Sequence, residues 1–235
     1  MPSAQKLELD EPGRVKSDGD LYALLQEIHA SNVSNLNSLH GRGKVLFAEG
    51  EPVRGVYILR TGRAAVSMSS SEGRVVILRM AQAGDVLGLS SALRNLHYET
   101  TVKTLEACRT DFISRVELME LIDKSDTATN AVLKLLSREL TELTDRTRSL
   151  VLPQTASARL AKLLLDLSAE KGLGKARVIE VERTLTHEEI AQMICSSRET
   201  VTRLLASFSR RKIIRVTSDS ILIKDRQGLE TVARG

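Results

Sequence analysis

Between Gly43 and Ser114 the apolar residues come in short runs, at 45–47, 56–59, 64–68, 75–80, 86–89, 100–105 and 110–113. Turn-forming stretches separate them: Glu49-Gly50-Glu51-Pro52, Thr61-Gly62-Arg63, Ser71-Glu72-Gly73 and Ala83-Gly84-Asp85. Many short strands at regular spacing predict a closed antiparallel barrel or sandwich, with no helical pattern interrupting them. Ahead of this block, residues 1–20 combine acids with Pro12, Gly13 and Gly19 and read as a mobile arm. Residues 21–29 predict a short amphipathic helix and 30–37 a loop. Behind the block, 116–123 predicts a helix of a turn or two.

From residue 126 to 152 the period changes. Leu133, Leu136, Leu140, Leu143, Thr147 and Leu150 follow one another at spacings of three and four, with no Gly or Pro before Pro153. That is a heptad seam on one long helix. Its narrow stripe fits a partner helix better than packing on the chain's own barrel, which calls for a wider apolar face. Pro153 ends the helix, because its ring removes an amide and crowds the preceding turn, so a hinge is expected at 152–155. Thr155 can cap a helix at 156–169 that turns Leu160, Leu163, Leu164 and Leu167 inward. Gly172 and Gly174 close it, and 177–182 reads as a strand.

Two short helices joined by a tight turn come next. Thr186 and Glu189 form a capping box, each satisfying a free amide at the helix start. Ile190, Met193 and Ile194 share one face. After Cys195, either Ser196 or Ser197 can cap a second helix, in which Val201, Leu204, Leu205 and Phe208 face inward. Ser197, Arg198, Glu199, Thr202 and Arg203 are left to face outward. Six Arg or Lys fall between Ser196 and Arg215 against one acid, Glu199. Arg can pair with guanine O6 and N7, and Glu can accept from cytosine N4, so this small helix suits a DNA major groove. The runs 213–216 and 221–223 alternate about Ser218-Asp219-Ser220 as a wing would. The competing reading is an ordinary helical hairpin with solvated charges.

Composition narrows the function. A length of 235 residues suggests one or two domains, and 42% hydrophobic residues supply real cores, aliphatic ones since aromatics are only 3%. A net charge of +4 permits a polyanionic partner without requiring one. Cys108 and Cys195 lie far apart and give neither a disulfide framework nor a metal spacing, so no metal and no cofactor is expected. Absent too are a Gly-x-Ser-x-Gly elbow, a Walker loop and a His-Glu-x-x-His helix, which argues against an enzyme. His97 and His187 read as surface residues. No run reaches membrane length, and residues 1–20 are polar and lack the apolar core of a signal peptide, so a cytoplasmic protein without a membrane partner is expected.

Taken in order, Gly50-Glu51, Tyr57-Ile58-Leu59 with Gly62, Gly84-Asp85 and Gly88 resemble the β-roll of cyclic-nucleotide-binding domains. Ser197-Arg198-Glu199-Thr200-Val201 followed by Arg203 resembles the recognition helix of the Crp/Fnr family of bacterial transcription regulators. The resemblance spans 43–223. It implies an α+β chain with an antiparallel, jelly-roll-like β-roll over 21–125, a dimerisation helix over 126–152 and a winged helix-turn-helix over 153–235. It further implies a homodimer that reads a palindromic, TGTGA-like site in double-stranded DNA, with Arg198, Glu199 and Arg203 on the bases and RNA polymerase as a further partner. The alternative is a ligand-binding module whose C-terminal hairpin docks on a protein. Cys195 departs from the family, which commonly has a turn glycine there. A left-handed Cys costs about 1 kcal/mol.

The resemblance also places a candidate effector pocket at Gly88, Leu89, Ser90, Tyr98, Glu99 and Thr100. Cyclic-AMP-responsive members carry Gly-Glu on the ribose and Arg-Ser on the phosphate. Gly88-Leu89 and Tyr98-Glu99 align with those pairs here. Leu89 cannot accept from a hydroxyl, and Glu99 would repel a phosphate by about 4 kcal/mol at ~4 Å and an effective dielectric of ~20. Losing the charged hydrogen bond removes a further ~1.5–3 kcal/mol. No useful cyclic AMP or cyclic GMP binding is therefore expected unless Arg94 supplies the missing charge. The effector itself is not identified.

Overall fold

The computed structural model describes residues 19–30, 36–151, 155–170, 179–182, 185–217 and 220–234. Residues 1–18 of the arm expected at 1–20, 31–35 of the loop expected at 30–37, 152–154 of the hinge expected at 152–155, Gly172, Gly174 and Asp219 lie outside the described residues, whereas Gly19 and Asp20, expected in the arm, open a helix.

Helix α1 (Gly19–Ala30) leads into eight strands: β1 (Leu36–His40), β2 (Val45–Phe47), β3 (Gly55–Thr61), β4 (Ala64–Ser69), β5 (Val75–Ala81), β6 (Val86–Leu87), β7 (Thr101–Thr104) and β8 (Cys108–Ser114). They form two antiparallel four-stranded sheets, ordered β1-β8-β3-β6 and β2-β7-β4-β5. The expected roll is present, with two corrections. The stretch read as a loop at 30–37 gives way to β1, whose Leu-Asn-Ser-Leu-His carries no β-branched residue. Pairing makes it a strand: it runs along β8 from Leu36 opposite Phe112 to His40 opposite Cys108. The run 86–89 is not a strand throughout. Gly88 turns left-handed, with φ of 81°, and helix α2 (Leu89–Arg94) follows and buries Leu89 and Ala92. A Cβ on Gly88 would come within 2.9 Å of the Tyr98 ring, so the turn is closed to larger residues. At six residues α2 is too short to show a helical period.

Helix α3 (Arg115–Lys124) starts on a capping box of Ser114 and Glu117, and α4 (Asp126–Val151) follows after Ser125. Ala128, Ala131, Val132 and Leu135 of α4 are buried with Leu24, Ile28, Val56, Ile58, Ile113, Leu118 and Leu121. The first half of α4 therefore belongs to the core of the roll.

The C-terminal part comprises α5 (Ala156–Glu170), β9 (Ile179–Glu182), α6 (His187–Met193), α7 (Arg198–Arg210), β10 (Ile214–Val216), β11 (Ser220–Ile223) and α8 (Arg226–Arg234). Its sheet runs β10-β11-β9. Helix α8 extends the expected wing; Asp225 accepts from the Gly228 amide at its start and Leu229 is fully buried. One apolar cluster joins Ala65, Ile77 and Leu105 of the roll to Leu164, Ile190, Leu205 and Phe208. Beside it Arg42 donates to both carboxylate oxygens of Glu189 at 3.1 Å and to the Leu105 carbonyl at 2.6 Å.

Candidate nucleic-acid interface and sheet cavity

The start of α6 is fixed by its capping box: Thr186 Oγ1 accepts from the Glu189 amide at 3.1 Å, and the Thr186 amide donates to Glu189 Oε2 at 2.6 Å. Ile190, Met193 and Ile194 are buried. The turn passes through Cys195 in the left-handed region, with φ of 49°, and the Ser196 amide closes back on the Ala191 carbonyl at 2.9 Å. From α5, Arg159 Nε holds the Ile194 carbonyl at 2.7 Å, giving that exposed-end acceptor a partner. Ser197 caps α7 by accepting from the Thr200 amide at 3.2 Å.

With Val201, Leu205 and Phe208 buried, α7 turns Ser197, Arg198, Glu199, Thr202 and Arg203 to solvent. All five candidate residues thus lie on one exposed face. Arg203 Nη2 donates to Thr200 Oγ1 at 3.2 Å. Hydrogen bonds from Glu199's own amide and from Ser197, then the charges of Arg198 and Arg203, hold its carboxyl below its ordinary range. Glu199 is therefore an ionised acceptor at neutral pH, as pairing with an exocyclic amine requires. His187 pairs with Thr202 Oγ1 at 2.9 Å, tying α6 to the outward face of α7. The sequence gives no sign of this contact before the crossing of the two helices is known. Arg211, Lys212 and Arg215 are exposed near the wing, and Thr217 and Ser220 close its base with a 2.8 Å backbone bond.

On α4 the seam residues divide. Leu136 is partly buried against the roll, whereas Leu133, Leu140 and Leu143 are 58%, 67% and 37% exposed. Thr147 is exposed and donates to the Leu143 carbonyl at 2.8 Å. The Leu150 side chain lies outside the described residues.

Between α4 and the sheet of β4, β5 and β7 lies a cavity of about 280 Å³, lined by Val66, Leu78, Arg79, Leu87, Gly88, Ser90, Ser91, Glu99, Thr100, Val102, Leu136, Glu139, Leu140 and Leu143. It takes in four of the six pocket candidates, Gly88, Ser90, Glu99 and Thr100. The other two, Leu89 and Tyr98, are not part of its lining. Leu89 is 2% exposed and packs in the core. Tyr98, 3% exposed, stacks on Phe47 at 4.0 Å and donates to the Gly55 carbonyl at 2.8 Å. Leu89 instead lines the smaller pocket beside the cavity, together with Arg79 and Glu139. Arg94 is bound to Glu99 at 2.5 Å. Arg79, Glu139 and the three leucines of α4 were missed as cavity residues, since only the fold brings α4 across the sheet. Among the described residues no group of acids, histidines and cysteines is arranged to hold a metal ion, and no helix is long and apolar enough to cross a membrane.

Two family models match the chain, a cyclic nucleotide-binding domain over residues 40–125 and a Crp-like helix-turn-helix domain over 158–232. A CRP-like cAMP-activated global transcriptional regulator of Mycobacterium tuberculosis is 31% identical over 193 residues, covering 82% of this chain and 86% of the relative. Among solved structures, FixK2 from Bradyrhizobium japonicum aligns with a TM-score of 0.71 and 21% identity, covering 85% of this chain and 98% of that one. The c-di-GMP responsive global regulator CLP of Xanthomonas campestris aligns at 0.74 and 18% identity, covering 86% and 98%. At these identities the solved structures establish a shared fold.

Proposed function

The chain belongs to the Crp/Fnr family of transcription regulators, and on that premise we propose that it acts in the cytoplasm as a homodimer reading a palindromic DNA site with two copies of α7. Members of the family are regulators, not enzymes. The observation that carries the reading is the exposed face of α7, where Arg198, Glu199 and Arg203 stand together on a helix capped at Ser197 and anchored by Val201, Leu205 and Phe208. A hairpin built to dock on a protein would turn an apolar stripe outward; here that stripe is buried. Two recognition helices one helical turn apart call for half-sites ~10–11 bp centre to centre, and the family resemblance supports a TGTGA-like core and RNA polymerase as a protein partner.

In this reading residues 21–125 form the sensory roll, 126–152 the dimerisation helix, and 153–235 the DNA-binding unit. The exposed Leu133, Leu140 and Leu143 support α4 as the seam, continued by Leu136, Thr147 and Leu150. The roll does not respond to cyclic AMP or cyclic GMP. Arg94, the residue placed to substitute for the missing phosphate ligand, is held by Glu99.

Selection of bound fragments from a random DNA library tests the first part, and an enriched inverted repeat is expected; a non-palindromic site rules out the dimeric docking. Titration calorimetry with both cyclic nucleotides tests the second. A dissociation constant below ~100 μM for either one overturns it.

A further inference from the structure

The cavity under α4 is short of positive charge, and the deficit rests on one residue. Around it stand Arg79, Arg94 and Arg138 against Asp85, Glu99, Glu139 and Glu142, three cations to four anions. Every arginine has a carboxylate partner. Asp85 holds Arg79 at 2.5 Å and Arg138 at 2.7 Å, Glu142 sits 3.3 Å from Arg138, and Glu99 holds Arg94 at 2.5 Å. The Glu139 side chain makes no hydrogen bond or ion pair among the described residues, yet it lines the cavity. Burial pushes its carboxyl up, with Glu142, Asp85 and Glu99 adding to the effect and Arg79 opposing it.

Resting on the reading that this cavity is the effector site and is insensitive to cyclic nucleotides, we propose that it takes a small organic cation. The aliphatic body sits against Leu87, Val102 and Leu136, and an ammonium group donates hydrogen bonds to Glu139, with the Ser90 and Thr100 hydroxyls beside it. The wall rewards an apolar body by removing it from water. An unpaired, partly desolvated carboxylate is relieved by an opposite charge. An anion would meet Glu139 and Glu99 while each nearby guanidinium is already engaged. The volume of about 280 Å³ lies near the lower end of small-molecule cavities. The whole chain carries +4 and so draws anions at long range, which means that preference for a cation must arise in the cavity itself.

The test is thermal unfolding of the full chain titrated with hexylammonium, 1-hexanol, hexanoate and cyclic AMP. Hexylammonium should raise the unfolding midpoint most and hexanol less, while hexanoate and cyclic AMP leave it unchanged. Glu139→Gln should weaken hexylammonium by about tenfold or more, towards the level of hexanol, with hexanol unaffected. Glu139→Asp, which keeps the charge, should retain the preference for the cation. The proposal falls if hexanoate matches hexylammonium, if Glu139→Gln keeps the full preference, or if no hexyl compound shifts the midpoint. Stabilisation by cyclic AMP overturns the underlying cyclic-nucleotide reading as well, whereas silence from every hexyl compound with cyclic AMP also silent removes the ligand class alone.

Discussion

The arginines of α7 and the arginines of the cavity are in opposite states. On α7, Arg198 and Arg203 stand in solvent, and the hydrogen bond from Arg203 goes to a neutral hydroxyl on Thr200. Around the cavity, Arg79 and Arg138 converge on one carboxylate, Asp85, which is 5% exposed and also accepts from the Gln82 amide at 3.1 Å. A guanidinium stays charged in either setting. What differs is whether that charge remains available to an incoming anion. The α7 arginines leave it open to solvent, as the proposed DNA contact requires. The cavity arginines spend it inside the fold, where both of them offset the buried charge of Asp85. The same residue type is thus exposed in one region and a structural tie in the other.

The strongest way to break this contrast is to take the dimer apart, since α7 is proposed to work in pairs and α4 also walls the cavity. Leu140→Glu places an unpaired charge in the seam, at a cost of several kcal/mol once buried. Light scattering should report monomers, and specific DNA binding should vanish. A dimer of intact DNA affinity removes α4 as the seam. Next in size is Asp85→Asn, which leaves Arg79 and Arg138 with the more exposed Glu142 as their shared carboxylate. Breaking a buried pair costs ~3–5 kcal/mol, and the partial exposure of Arg138 reduces this to about 2–3 kcal/mol. Urea unfolding measures it. A loss below about 1 kcal/mol would mean that these arginines are as loosely held as those on α7.

How much of each region could be read beforehand follows from the range of the interactions that build it. The α7 face depends on contacts within four residues: the Thr186–Glu189 box, the Ser197 cap and the spacing of Val201, Leu205 and Phe208. Those are sequence-local and appear in the structure at the expected positions. The cavity depends on contacts across the chain, such as Arg138 to Asp85 and α4 over β5, and no local pattern encodes them. Leu89 and Tyr98 therefore align with pocket positions but pack in the core, while Arg79 and Glu139 reach the cavity only through the fold. On α4 the leucine spacing stands out in the sequence, whereas the second apolar face, Ala128, Ala131, Val132 and Leu135, does not; small alanines mark close packing on the roll only once the roll is known.

A smaller effect sharpens the α7 side. Arg203→Ala should cost ~1–3 kcal/mol of DNA affinity and relax preference at one G·C pair, read by binding to the selected site and its single-base variants. Wild-type affinity for every variant would place the helix in another orientation.

The smallest effect lies in the cavity and in its response to pH. Desolvation comes first in raising Glu139 above its ordinary 4.5, followed among the raising influences by Glu142, Asp85 and Glu99, with Arg79 pulling the other way. A carboxyl whose folded pKa exceeds its unfolded one binds protons more readily in the folded state. The stability this contributes is fully present below the unfolded value and is lost as pH rises through the folded one. Glu139→Gln cannot ionise, so relative to the variant the wild-type protein should lose ground from about pH 4 upward and level off once Glu139 is ionised in both states. Unfolding midpoints of the two proteins in urea, compared across that range, isolate this one group because every other titration is shared. A difference independent of pH would mean that Glu139 is already matched by a cation in the folded protein, and the contrast between spent and available charge would have to be redrawn around Arg79.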